Sequence, residues 1–249
     1  MTVLVCQIIC DRKASSQHSG SIDAICNIDY PNYEVYINIQ QQHTTFQSLA
    51  LYQPMLEKLN DSEITYNVDS WCYKSTWKPG PTYDQDTERL MPICIARNMA
   101  LEYASRREDI EKVLFVDADV IIEPDGLKKL MSRKLPFIGG LVPGRGAHKH
   151  VSYIFFEEER KDGLIKCSYG TCGYMLIDRS VFSLLRFRIG QASHTKTPIS
   201  LSEDPNFCID AKTFLGIDFY IDETVKAKHW DDPENPFTAD QASPMEVVL

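Results

Sequence analysis

The apolar and polar positions of this chain fall into blocks whose period switches between that of a strand and that of a helix. Val3, Leu4, Val5, Cys6, Ile8 and Ile9 predict a strand over 2–10, covered on both faces as in a parallel sheet. A polar loop rich in serine follows at 15–21, and 33–39 alternates like a second strand. Thr44 or Thr45 can cap a helix running to about 60, marked by Phe46, Leu49, Met55, Leu56 and Leu59. A third strand covers 64–68 and ends at Asp69, an aromatic loop spans 70–86, and a helix lies near 87–106. Then come an apolar strand at 113–116, a helix near 124–133 and a strand at 137–142. The second half is more mixed. Short strands at 151–156 and 164–168 flank a charged hairpin at 157–163. A strand at 174–177, a helix from Arg179, a polar loop at 189–202, a helix at 204–215, strands at Phe219 and Val225, and a polar tail from 231 complete the chain. Alternating β and α elements followed by mixed ones predict one α/β domain with a parallel nucleotide-binding half (1–120) and an acceptor-side half (121–230), the tail being 231–249.

The stretch from Val113 to Ile122 is the richest in chemistry. Four apolar residues lead into Asp117-Ala118-Asp119, and apolar residues follow. A charge inside a doubly covered strand is costly unless paired or metal-bound. The aspartates are therefore placed at the strand's C-terminal end, the edge where open α/β sheets bind ligands. Two carboxylates there are hard oxygen ligands suited to Mg²⁺ or Mn²⁺ carrying a phosphorylated substrate. An Asp-X-Asp pattern alone is more often a turn. The strand in front and the helix start behind, Glu123-Pro124-Asp125-Gly126, favour the site.

Composition narrows the classes. A length of 249 residues with 43% hydrophobic and 24% charged positions is enough for one large α/β core. A net charge of −9 argues against a nucleic-acid partner. No apolar run is long enough to span a bilayer, and the N-terminus reads as a strand with no leader pattern. The eight cysteines form no Cys-X-X-Cys and several sit in apolar runs, so reduced, mostly buried thiols in a soluble cytoplasmic protein are expected.

Three further patterns carry chemistry. Arg97, in Ala96-Arg97-Asn98, can bind a nucleotide phosphate through its guanidinium, or be a solvated helix cation. Ser202-Glu203-Asp204-Pro205 opens a helix. Capping explains one of its polar residues, and a second carboxylate there can act as a general base toward an acceptor hydroxyl. His229 follows a strand and can be a further metal ligand, or an ordinary hydrogen-bonded histidine. Phosphate-loop, dinucleotide-fingerprint, nucleophile-elbow and zinc-protease patterns are all missing.

In this order, Ala96-Arg97-Asn98, Asp117-Ala118-Asp119, the segment from Tyr169 through Gly173 to Arg179, Ser202-Glu203-Asp204 and Val225 to His229 resemble a GT-A-fold glycosyltransferase of the family 2-like group, over about residues 3 to 230. The resemblance implies a Rossmann-like three-layer α/β/α domain with a mixed, mainly parallel central sheet. It implies transfer of a glycosyl group from a nucleotide-diphosphate sugar to a hydroxyl of a glycan, lipid-linked or protein acceptor, with Mn²⁺ or Mg²⁺. Asp119 would be the principal metal ligand, Asp117 would lie near metal or ribose, and His229 would be a further ligand. Asp11 and Asp69 would face the base and ribose, and Arg97 would support the nucleotide. Gly173 would let a sugar approach the backbone, and Asp204, with Glu203 as substitute, would be the general base of an inverting reaction.

The chain departs from that pattern where strand one ends Cys10-Asp11-Arg12-Lys13 and strand two ends Gln40-Gln41-Gln42. A retaining GT-A enzyme, a related nucleotidyltransferase and a catalytically silent sugar-nucleotide-binding module remain alternatives. The nucleotidyltransferase lacks its glycine-rich basic signature here, and the silent module is disfavoured by the joint presence of Asp117, Asp119, Asp204 and His229.

Overall fold

The computed structural model describes residues 2–10, 16–41, 47–72, 83–143, 155–191, 200–201, 203–229 and 237–238. Asp11, Ser202, the caps at Thr44 and Thr45 and most of the aromatic loop lie outside these residues. The order is β1 (Thr2–Cys10), α1 (Ser16–Cys26), β2 (Tyr33–Gln41), α2 (Gln47–Asp61), β3 (Tyr66–Cys72), α3 (Tyr83–Ser105), β4 (Ile110–Val116), β5 (Val120–Ile122), α4 (Gly126–Ser132) and β6 (Phe137–Leu141). Then follow β7 (Phe155–Lys161), β8 (Leu164–Tyr169), β9 (Tyr174–Asp178), α5 (Arg179–Phe182), β10 (Gly190–Gln191), β11 (Ser200–Leu201), α6 (Glu203–Asp210), β12 (Phe219–His229) and β13 (Phe237–Thr238).

The main sheet runs β3-β2-β1-β4-β9-β6-β12-β8-β7. β3, β2, β1 and β4 are mutually parallel, as are β6 and β12, and the remaining neighbours on this path are antiparallel. Successive side chains of the buried strands feed opposite cores. Val3, Val5 and Ile9 join Leu114, Val116, Tyr174 and Leu176 beneath α1, α2 and α4. Leu4 and Cys6 join Val113, Phe115, Met175 and Ile177 beneath α3, α5 and α6. The result is the three-layer α/β/α arrangement that the resemblance implies.

Four local expectations change. The 15–21 segment is largely helix, because α1 begins at Ser16. Its buried Ser21, Ile22 and Ile25 lie on one helical face, a pattern that starts too late for the serine-rich beginning to show it. The charged hairpin at 157–163 is mostly strand, since β7 carries Glu157–Lys161 and only Asp162 and Gly163 turn, both at positive φ. Charge is tolerated there because β7 ends the sheet's pairing order, and Glu159 and Arg160 are exposed. The helix read over 204–215 is α6 followed by a π-helical turn, Ala211–Leu215. The strands read at Phe219 and Val225 are one strand, β12, whose register shifts between Asp222 and Lys226.

β12 pairs with β6 on both sides of that shift, Lys226 standing opposite Leu141. Its first part also pairs with β8, and its end pairs with β5 and β13, His229 standing opposite Val120 and Phe237. Two residues of the 231–249 segment are therefore hydrogen-bonded into the sheet. Asp222, fully buried, holds the irregularity. It accepts from Arg133 Nε at 2.6 Å and from Thr224 N and Oγ1 at 2.9 and 2.7 Å. Burial pushes its carboxyl up, and these bonds more than offset that, so its pKa is lowered.

Close packing at the sheet centre predicts a sensitive position. A Cβ at Gly139 would stand 2.7 Å from the backbone oxygen of Tyr174 and 3.0 Å from the Phe219 ring. Gly139→Ala is expected to cost about 1–3 kcal/mol by chemical unfolding. An unchanged midpoint would show that β6 and β9 have slack.

Candidate functional site

The C-terminal edge of β4 gathers most of the singled-out residues. Gln40, buried at the end of β2, donates to the Pro92 carbonyl of α3 at 2.6 Å and fixes that helix against the sheet. Little more than a turn later, Arg97 points inward with only 4% of its side chain exposed. Its Nη2 donates to Asp117 Oδ1 at 3.1 Å, and its Nη1 donates to Glu203 Oε1 at 2.8 Å and to Asp204 Oδ1. The Phe115 and Phe187 rings lie beneath the guanidinium at 5.9 and 5.6 Å. Burial works against the Arg97 charge, and the surrounding carboxylates overcome it, so the group is held firmly protonated. Arg97 is thus neither a solvated cation nor turned toward open solvent, because its terminal nitrogens are directed at protein carboxyl groups.

Glu203 and Asp204, both in the first turn of α6, differ in environment. Asp204 is 14% exposed, and its Oδ2 accepts from the Cys172 N–H at 3.0 Å. Glu203 is 4% exposed, and its Oε2 is buried without a hydrogen-bond partner among the described residues. Burial first, and then the neighbouring Asp204 charge, push the Glu203 carboxyl up to about 8 against the pull of Arg97. Burial pushes the nearby Cys94 thiol up to about 11 and raises Cys172 and Cys208 as well. These thiols stay neutral near pH 7, and the described cysteines are free of disulfides.

Asp117 and Asp119 part company in the turn after β4. Asp117 is 39% exposed and faces Arg97, and its backbone N–H donates to Gly173 O at 3.1 Å. Asp119 is buried, with its Oδ1 3.6 Å from His229 Nε2. His229 Nδ1 lies 3.0 Å from the Pro143 carbonyl, which can only accept. In the neutral imidazole the proton is therefore on Nδ1, and the Nε2 lone pair faces the Asp119 carboxylate. A nitrogen lone pair and a carboxylate converging in a buried spot suit a divalent cation, and a backbone carbonyl orienting the far ring nitrogen is the usual support for a histidine ligand. Among the described residues no three His, Cys, Asp or Glu side chains converge on one such point. With this pair alone, a Mg²⁺ or Mn²⁺ ion would need its other ligands from outside the described side chains.

Asp69 is not brought to this cluster. β3 extends to Cys72, which leaves Asp69 in mid-strand, and it accepts from the Tyr36 hydroxyl. Three strand spacings, on the order of 14 Å, separate it from Asp117. It lines a different groove of about 710 Å³, with Ile95, Asn98 and Tyr103. Gly173 lies beside Asp117, and a Cβ there would approach Asp117 Oδ2 and Val142 no closer than 3.5 Å.

Gln7 and Ser21 escaped the sequence reading. Buried Gln7 donates to Ser21 Oγ, whose hydroxyl reaches the Asp117 carbonyl at 3.4 Å. A polar residue inside an otherwise apolar strand was the available signal.

No family model matches the sequence, and no match was found among curated proteins. In shape the chain is similar to A197 from STIV, with a TM-score of 0.51 and 13% identity, covering 100% of this chain and 97% of that one. It is similar to S. aureus TarS 1-349 in complex with UDP-GlcNAc, with a TM-score of 0.50 and 16% identity over 89% of this chain and 56% of that one. It is also similar to the mannosyltransferase PcManGT from Pyrobaculum calidifontis in complex with GDP-Man and Mn²⁺, with a TM-score of 0.50 and 16% identity over 86% and 53%. The chain thus has the mixed α/β fold of GT-A-type glycosyltransferases, and it spans little more than half the length of the TarS and PcManGT chains. Among the described residues no helix is long and apolar enough to cross a membrane.

Two substitutions test the site's construction. Arg97→Leu leaves buried carboxylates without their cation and is expected to cost about 3–5 kcal/mol. Uncompensated carboxyls have raised folded pKa values, so that deficit shrinks as pH falls and grows as pH rises. A pH-independent loss in thermal melts would point to packing alone. Gly173→Ala is expected to leave stability within about 0.5 kcal/mol, because only ordinary contacts await its methyl group.

Proposed function

We propose that this chain is a metal-dependent glycosyltransferase that moves a sugar from a nucleotide-diphosphate donor to an acceptor hydroxyl with inversion. The observation that carries the reading is the meeting, at one sheet edge, of a buried aspartate–histidine pair and an arginine-bound carboxyl cluster on a helix start. The fold shared with glycosyltransferase structures supports it.

Asp119 and His229 would hold Mn²⁺ or Mg²⁺, with Asp117 at its side toward the ribose. Bound there, the ion would supply Lewis-acid stabilisation for the departing nucleoside diphosphate. Asp204 faces outward more than Glu203, and its two oxygens are fixed by Arg97 and the Cys172 N–H. It would take the acceptor's proton as general base while that oxygen attacks the anomeric carbon. Gly173 leaves space beside Asp117 for the donor sugar. Arg97 acts through the carboxyl groups it orients and is a positioning residue in this scheme. Asp69 and Asp11 remain proposed contacts of the base and ribose.

The test is ligand-induced stabilisation with nucleoside diphosphates and sugar nucleotides in Mn²⁺, Mg²⁺ or EDTA. Native protein is expected to be stabilised by one nucleotide only when metal is present, and Asp119→Asn and His229→Ala should abolish that shift. Asp204→Asn should keep the shift and lose about 10²–10⁴-fold in turnover. A folded native chain that no member of the panel stabilises would sink the transferase reading and turn Asp117-Ala118-Asp119 into a structural turn.

A further inference from the structure

We propose that Glu203 is the member of a carboxyl pair converging on Arg97 Nη1 that stays neutral near pH 7, and that it holds its proton so that Asp204 carries the pair's negative charge. The consequence for catalysis rests on the transferase reading above, whereas the protonation state does not.

The inference begins with charge counting. Arg97, almost wholly buried, directs two terminal nitrogens at Asp117, Glu203 and Asp204, one cation against three carboxyl groups. Removing several uncompensated charges from water is far more costly than protonating one of them. Asp117 is partly exposed to solvent. Asp204 has two donors, Arg97 on one oxygen and the Cys172 N–H on the other. Glu203 Oε1 accepts from Arg97 Nη1, and the buried Oε2 has no hydrogen-bond partner among the described residues. Of the two carboxyls at this nitrogen, Glu203 is the more deeply buried, so the proton belongs on Glu203. The groups facing Glu203 agree. From α3 come Arg97 and the neutral Cys94 thiol, from its own helix Asp204, and from the turn before β9 the neutral Cys172 thiol. Arg97 is the cation that Glu203 and Asp204 share. The upward push on the Glu203 carboxyl has the same direction.

The sign of the pH dependence follows. A carboxyl with an ordinary value of 4.5 that is pushed up to about 8 in the fold binds a proton in the folded state and not in the unfolded state across that window. Its stabilising contribution is complete below 4.5 and is lost as pH rises toward 8. The folding constant then falls about tenfold per pH unit on its account.

Glu203→Gln, an isostere of the neutral acid, tests this. Urea unfolding at a series of pH values between 5 and 8 should show the native chain losing stability about tenfold per unit more steeply than Glu203→Gln. Carbon-detected NMR of the native chain's carboxyl groups should show one glutamate keeping its neutral-acid position at pH 6.5, and that signal should be missing in the variant. Equal pH slopes, or a glutamate set that is fully ionised at pH 6.5, would overturn the proposal even if the variant proves unstable. If the chain transfers sugar, a Glu203→Gln variant as inactive as Asp204→Asn would make Glu203 the base and reject the assignment. A chain without transferase activity leaves the unfolding and NMR readouts intact, so the two readings fail separately.

Discussion

The Arg97 guanidinium is the interaction on which the arrangement of this molecule depends. It is buried among Phe115, Phe187 and three carboxyl groups, and those groups come from parts of the chain twenty and more than a hundred residues away. Without the cation, the end of β4 and the start of α6 would present like charges to each other in a space of low dielectric, where their repulsion is several times stronger than in water. With it, α3, the β4 turn and α6 become one unit. Asn98, the next residue, exchanges two hydrogen bonds with the Phe187 backbone at 2.7 and 2.8 Å. The wall beneath the guanidinium is thus fixed by the same helix that supplies the charge.

The sheet solves a separate problem, the delivery of His229. Past the irregularity between Asp222 and Lys226, where Arg133 and Thr224 hold Asp222, β12 still pairs with β6 at Leu141 and then gains β5, where the pairing His229↔Val120 sets the imidazole beside Asp119. Register in an antiparallel pair admits only steps that flip or displace a side chain. The 3.6 Å separation between Asp119 and His229 is therefore a property of the β12–β5 register.

The fold class and the place of the Asp-Ala-Asp turn were legible in the chain because burial on both sheet faces leaves unbroken apolar runs, and charges can follow such runs only at their ends. α1 was hidden because its opening turns are serine-rich and its buried face, Ser21, Ile22 and Ile25, is short. The charged β7 was hidden because an edge strand need not alternate. At the site, the residue types were legible and their partnerships were not. Arg97 reads equally well as a phosphate ligand or a surface cation until α6 is folded against it. Its partners Glu203 and Asp204 are 106 and 107 residues distant, and no local pattern encodes such a contact. A third strand read as ending at Asp69 makes that residue a strand-end group, yet pairing with β2 carries β3 through to Cys72.

Adjacent carboxylates at a helix start have a cost that explains their unequal surroundings. Both gain from the helix dipole, and both meet the same guanidinium nitrogen, so their mutual repulsion is the term left over. A protein can relieve it by exposing one group or by protonating one. This chain exposes Asp204 slightly and gives it a backbone donor, while it encloses Glu203 beside the Cys94 and Cys172 thiols, which solvate a charge poorly. The asymmetry leaves Asp204 as the carboxyl of the pair nearer the mouth of the site. Each Asp204 oxygen has two lone pairs and each spends one on Arg97 or Cys172, so directions remain for an incoming hydroxyl without breaking the bonds that hold the group in place.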